Sequence, residues 1–184
     1  MNNKLNILLS GIDQIRENHV YKQEDHKKEN VRIDKILDAL SSFTDCVRYL
    51  NTRRSAGALL NLDSEDSVQD ALFLMIRPWI IDLVPENPTD KIANRFSIKD
   101  FLSKSCHLVI EVKYIRDKEH GKTIVQELND DIETYRYHHY CDDLIFFIYD
   151  PDGLIPDAGA VQRHIASSRA YDEKVLKCHL IIKP

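Results

Sequence analysis

A chain of 184 residues, 43% hydrophobic and 30% charged, has room for one domain of ordinary size with a sizeable core. Its formal net charge of −5 excludes the broad basic field by which most nucleic-acid binders attract phosphate, leaving a local basic groove or a partner as routes to a polyanion. No apolar run approaches a membrane span, and the opening MNNKLNILLSGIDQIREN lacks a basic start and a small-residue cleavage site, so a cytoplasmic protein is expected.

Leu5, Leu8, Ile12 and Ile15 recur at helical spacing, which predicts a helix over residues 4–17, and the charged stretch 19–30 follows as a connection. Ile33, Ile36, Leu40, Phe43, Val47 and Leu50 then form a longer stripe with heptad rhythm. Two uses fit it: a helical hairpin packed on the rest of the chain, or a seam for a homodimer or a partner protein. Residues 51–63, with Arg53, Arg54 and Gly57, read as a joint. Ser64 offers an N-cap with Glu65 and Asp66 in the first turn, and Val68, Leu72, Met75, Ile76 and Trp79 follow as a buried face. Pro78, Pro85 and Pro88 close that helix.

Two strands come next. Phe96–Leu102 and Leu108–Ile115 flank the polar run Ser103-Lys104-Ser105, the pattern of a hairpin. The second strand is rich in β-branched and aromatic residues but carries Glu111 and Lys113, two positions apart and hence on one face, while Ile110, Val112 and Tyr114 enter a core. With the turn centred near Ser105 and Cys106, Asp100 lies opposite Glu111, and Asp100, Glu111 and Lys113 converge on one patch. Two carboxylates and a backbone carbonyl make an all-oxygen site for a hard divalent ion, and the lysine beside them holds or deprotonates a water, as phosphodiester hydrolysis requires. An exposed ion pair that protects an edge strand uses the same residues.

The charged run 116–122 reads as a turn whose Lys118, His120 and Lys122 meet phosphate or solvent. Thr123–His139 reads as a helix with Ile124, Leu128, Ile132 and Tyr135 inward and Glu127 and Asp131 along one edge. Tyr135, Tyr137, Tyr140, His138 and His139 cluster at its end, either as a stacking surface or as the border of the core. The continuous apolar run Leu144–Tyr149 predicts a strand covered on both faces and paired in parallel. The turn Asp150-Pro151-Asp152-Gly153, a helix over 158–168 and a last strand over 175–182 complete the chain. Cys46, Cys106, Cys141 and Cys178 are scattered without Cys-x-x-Cys spacing and read as reduced thiols, and each adjacent Cys-His pair offers at most one zinc ligand because strand neighbours point to opposite faces.

Asp100 followed after ten residues by Glu111-Val112-Lys113 resembles the signature of the PD-(D/E)xK, or restriction-endonuclease-like, superfamily, and residues 64–153 share its order of helix, hairpin, helix and strand. Lys99 stands where the motif name has proline. The resemblance is to small bacterial nuclease domains of restriction and antiviral defence. It implies an α/β fold, a mixed β-sheet flanked by helices, here with an N-terminal helical extension over residues 1–60 ahead of a nuclease-like domain over 61–184. It implies Mg²⁺, with Mn²⁺ as a substitute, held by Asp100, Glu111 and the Val112 carbonyl, with Lys113 serving the attacking water. Glu65 matches the acid that reaches the metal site from the first helix in several such enzymes, and simple capping electrostatics explains it equally well. Glu127 stands near a position where relatives often carry glutamine. The expected function is a metal-dependent nuclease, an endonuclease-like phosphodiesterase acting on nucleic acid, by family analogy DNA. The alternative is a catalytically silent nucleic-acid-binding or assembly module within a larger complex, and a nuclease that acts only once assembled lies between the two.

Overall fold

The computed structural model describes residues 33–53, 57–88, 98–171 and 174–184. The helix expected over 4–17, the connection 19–30, Arg54 and the start of the first hairpin strand at Phe96 lie outside those residues. In chain order the elements are α1 (Ile33–Ser41), α2 (Phe43–Thr52), α3 (Glu65–Ile76), β1 (Val84–Pro88), β2 (Ile98–Ser103), β3 (Leu108–Tyr114), α4 (Lys118–Tyr135), β4 (Asp143–Tyr149), α5 (Ala158–Ile165), β5 (Ser168–Tyr171) and β6 (Lys174–Lys183). The strands form one sheet in the order β1-β2-β3-β4-β6-β5. β3 pairs in parallel with β4 and β4 with β6, while the remaining pairs are antiparallel. This is the expected α/β architecture, a mixed sheet with helices on both faces.

Alternation along the central strands separates two cores. Ile145 and Phe147 of β4, with Ile110 and Val112 of β3, face Ile36, Leu40, Phe43, Val68, Leu72 and Ile76 of α1, α2 and α3. Leu144, Phe146 and Ile148 face the opposite way, against Ile124, Leu128 and Ile132 of α4 and Val161 and Ile165 of α5. From Leu144 to Ile148, β4 is therefore apolar at every position because both faces are covered, as its sequence predicts. The heptad stripe of residues 33–50 continues across Ser42, whose hydroxyl donates to the Asp38 carbonyl at 3.0 Å. Its buried members Ile36, Leu40 and Phe43 are packed within the chain, and Phe43 meets Phe147 edge-on at 4.9 Å between ring centres. Such a pair adds about 0.5–1.5 kcal/mol beyond the area it buries.

Several boundaries differ from the sequence reading, each for a local reason. α3 ends at Ile76, so Trp79 lies in the turn beyond it and is 58% exposed where a buried position is predicted. Val84–Pro88 is a strand, β1, rather than a closing loop; Pro85 and Pro88 cost it backbone donors, which an edge strand tolerates. α4 starts five residues before Thr123, because Asp117 is an N-cap that accepts from the His120 N–H at 2.8 Å. Gly121 read as a loop residue, yet it is a helix residue whose missing side chain lets the Leu154 backbone approach; a methyl group there would sit 2.5 Å from the Leu154 oxygen. The helix over 158–168 ends at Ile165, and Ser168–Tyr171 forms the edge strand β5, a short partner for β6.

The hairpin of β2 and β3 is pinned from outside. Asp82, just before β1, accepts from the Ser103 hydroxyl at 2.6 Å, the Ser105 N–H at 2.8 Å and the Ser105 hydroxyl at 2.9 Å. Partial burial acts to raise the Asp82 pKa, but these donors outweigh it and hold the carboxyl below its ordinary range.

Gly121→Ala forces the methyl into a backbone oxygen and is expected to destabilise the chain by about 1–3 kcal/mol in urea unfolding. Gly159→Ala, where the nearest atom is the mobile tip of Arg163 at 3.4 Å, is expected to be neutral or to stabilise by up to about 1 kcal/mol. Equal effects at both glycines would show that the Leu154 approach does not constrain α4.

Candidate active site

The register of β2 on β3 pairs Phe101 with Ile110 and Leu102 with Val109, so the next step of the ladder sets Asp100 beside Glu111. Asp100 shares a face with Leu102, and Glu111 and Lys113 share theirs with Val109, all toward α4. The two carboxylates thus lie on the same side of the sheet. Asp100 Oδ2 accepts from the Val112 N–H at 2.6 Å, which turns the Asp100 side chain along the edge of β3. Glu111 is buried, and the Tyr135 hydroxyl of α4 donates to its Oε1. Lys113 Nζ lies 4.0 Å from Glu111 Oε2 and 3.3 Å from Asp131 Oδ2, so α4 supplies both a hydrogen-bond donor and an anion to β3.

Charge is concentrated here. Burial pushes the Asp100 carboxyl up to about 6, against the Val112 N–H and the Lys113 charge that pull it down. Burial together with the neighbouring Asp100 charge pushes Glu111 up to about 8, although the Tyr135 hydroxyl and Lys113 act the other way. Burial also raises Asp131, even with Lys113 beside it. Burial alone would lower Lys113, but Asp131, Glu111, Asp100 and Glu65 outweigh it and keep its pKa above the ordinary value. Several acids therefore share one ammonium in a low-dielectric setting. Such an array is a poor source of stability, since desolvation offsets most of the attraction.

A cleft of about 480 Å³ opens beside Lys113 between the N-terminal turns of α3 and α4. Glu65, Asp66, Lys113, Arg116, His120 and Glu127 are among its lining residues, whereas Asp100 and Glu111 are not. Glu65 Oε2 accepts from the Tyr114 N–H at 3.3 Å, tying the start of α3 to β3. Ser64 caps α3 as predicted, in a reciprocal pair with Ser67. Glu127 faces His120 across the cleft wall, Oε1 to Nε2 at 3.5 Å, one turn of α4 before Asp131. The structure thus brings Asp100, Glu111, Val112 and Lys113 together, sets Glu65 at the cleft against the Tyr114 backbone, and pairs Glu127 with an imidazole. Asp131 was legible as an edge residue and Tyr135 as an inward one, but not as partners of Lys113 and Glu111. The overlooked signal is that a buried tyrosine hydroxyl and a strand carboxylate each need a partner, and facing elements supply it.

Among the described residues no three histidine, cysteine, aspartate or glutamate side chains are gathered as a ready-made metal cage. The donors present nevertheless fit one hard divalent ion: oxygen ligands only, with two adjacent carboxylates whose charges oppose each other, and Mg²⁺ typically takes one or two carboxylates and fills the rest with water and phosphate. Among the described residues no helix is long and apolar enough to cross a membrane.

A mixed α/β sheet whose hairpin carries Asp, Glu and Lys toward the helix of the next crossover defines the PD-(D/E)xK, restriction-endonuclease-like class. Residues 32–184 match the family model described as REase_DpnII-MboI, and the chain belongs to this DpnII–MboI restriction endonuclease family. That family implies a phosphodiesterase acting on DNA, and restriction endonucleases typically use Mg²⁺. No curated protein and no solved structure matches the chain.

Because Asp100 and Glu111 bind their protons more tightly folded than unfolded, stability is greatest below their ordinary pKa values and falls as pH rises through about 6 and about 8. In metal-free buffer the urea midpoint is expected to drop between about pH 5 and about pH 8, with a flatter profile for Glu111→Gln. Parallel profiles for the two proteins would remove the claim that Glu111 is held against its charge.

Proposed function

We propose that the chain is a Mg²⁺-dependent DNA endonuclease of bacterial restriction or antiviral defence, with its centre at Asp100, Glu111 and Lys113. The observation that carries this reading is the projection of those three side chains from adjacent strands onto one face of the sheet, beside a polar cleft.

Asp100 and Glu111 would hold the ion together with the Val112 carbonyl. The Val112 N–H points at Asp100, and the N–H and carbonyl of one strand residue face the same side of the strand, so this carbonyl faces Asp100 too. When bound, Mg²⁺ supplies neutralisation of the phosphate charge and a water that ionises near neutral pH. Lys113, kept cationic by Asp131 and Glu111, donates to the attacking water or to a phosphate oxygen and is placed by the 3.3 Å contact with Asp131. Tyr135 occupies one oxygen of Glu111 and so fixes the direction of the other. Arg116 stands in the cleft wall, where it can meet a neighbouring phosphate. Glu65, already tied to the Tyr114 backbone, acts on the centre through the position of α3 and its charge. Glu127 is placed to act on His120.

Incubation of supercoiled plasmid with the full chain and Mg²⁺ or Mn²⁺ is expected to give nicked or linear DNA, and chelation should stop it. Lys113→Ala is expected to slow cleavage by about a hundredfold or more. Cutting that survives this substitution at the wild-type rate removes the assigned role. Independently of activity, Mg²⁺ or Mn²⁺ is expected to raise the melting temperature of the wild type at about pH 8 and to leave Asp100→Asn/Glu111→Gln unchanged, since the ion relieves the opposed carboxylates. An equal shift in both proteins would place the ion elsewhere.

A further inference from the structure

A second cleft, of about 660 Å³, lies past the C-terminal end of α4, against the β5–β6 hairpin. The nuclease centre uses none of its side chains. Its volume falls within the range of small-molecule sites, and its lining combines π surface with cations.

Arg136, the C-cap of α4, lies over two rings, with its guanidinium carbon 4.6 Å from the centre of Tyr137 and 4.7 Å from that of Tyr171. Its Nη1 pairs with Glu133 at 2.7 Å, which fixes the guanidinium without using all five donors. Tyr137 is 73% exposed, so a large aromatic ring is held beside a cation with most of its surface in solvent. Lys174 lines the same cleft, and its Nζ donates to the carbonyls of Tyr135 at 3.3 Å and His138 at 2.7 Å. These two bonds aim the ammonium and leave one of its three N–H groups to use. Burial lowers the Lys174 pKa, against Cys141 and Asp142, which act to raise it. His138 and His139 complete the rim. The carboxylate in the wall, Asp142, is engaged by His107 Nδ1 at 3.1 Å.

An aliphatic anion would leave the exposed ring unused, and a neutral aromatic would leave the ammonium unused. A ligand that joins a flat ring to a phosphate uses both. We infer that this cleft binds a nucleotide unit, its base stacked on Tyr137 and its phosphate held by Lys174 and Arg136. The site goes beyond the nuclease reading and does not depend on it. A free mononucleotide and a nucleotide within a DNA strand present the same chemistry to these residues.

The test is calorimetric titration of the full chain in EDTA, which silences cleavage, with 5′-AMP, adenosine and a short single-stranded DNA as separate probes. 5′-AMP is expected to bind at one site and adenosine more weakly. Tyr137→Ala, at an exposed position that leaves the core intact, is expected to weaken 5′-AMP by about tenfold, the scale of one lost base–aromatic stack. Tyr49→Ala, at an exposed tyrosine on α2 outside the cleft, should change nothing. Single-stranded DNA that binds where 5′-AMP does not, with the same loss in Tyr137→Ala, identifies the strand as the source. Absence of binding by every probe, or affinities untouched by Tyr137→Ala, overturns the inference. Lys113→Ala should keep full nucleotide affinity while losing cleavage, so failure at the nuclease centre and failure at this cleft are read separately.

Discussion

The buried carboxylate of Glu111 is the constraint around which the other elements are arranged. It is buried on the α4 face of β3, where an apolar core borders Asp100, Lys113 and Asp131, and a carboxyl there needs donors and a counter-ion close by. Tyr135 and Lys113 provide them, and Lys113 in turn leans on Asp131. Two of these groups belong to α4, so the crossover helix must be long enough and close enough to carry its last turns over the middle of β3. The close Gly121–Leu154 approach and the Asp117 cap set where that helix starts. Packing that holds up a strand in most α/β domains here also determines the direction of a carboxylate oxygen.

Much of this was readable from the residues. The alternation of Ile110, Glu111, Val112 and Lys113 fixes which side chains share a face, and a turn near Ser105 fixes the register that brings Asp100 alongside. The apolar run of β4 announces a strand covered on both faces. What escaped notice depends on tertiary context. Pro85 and Pro88 argue against a strand unless it lies at an edge, and nothing within Val84–Pro88 says where in the sheet it falls. Gly121 reads as part of a charged turn until Leu154 is seen against it. Asp131 and Tyr135 lie on a helix face whose direction is legible, but their partners are set by how α4 lies over β3, which no spacing within α4 encodes.

An acidic chain of a family that implies a DNA phosphodiesterase would meet such a polyanion through local fields. The cleft beside Lys113 is lined by this lysine and Arg116 and by the acids Asp63, Glu65, Asp66 and Glu127, so its sign depends on whether a further cation is present. α4 spans both clefts. Its first turns border the one beside Lys113, and its end borders the one with Tyr137. Tyr135 stands between them, its hydroxyl on Glu111 and its carbonyl on Lys174.

Asp82 forms none of its hydrogen bonds with Asp100, Glu111 or Lys113. By gripping Ser103 at the end of β2 and Ser105 in the turn that follows, it holds the turn from which the register of β2 on β3 is counted, and a strand's side chains swap sides with every single-residue slip. Were that grip lost and the arms displaced by one position, Asp100 would be carried through the plane of the sheet to the α3 side while Glu111 stayed where it is. The alignment of the paired acids thus leans on a half-buried aspartate that touches neither of them and acts only through the turn between their strands.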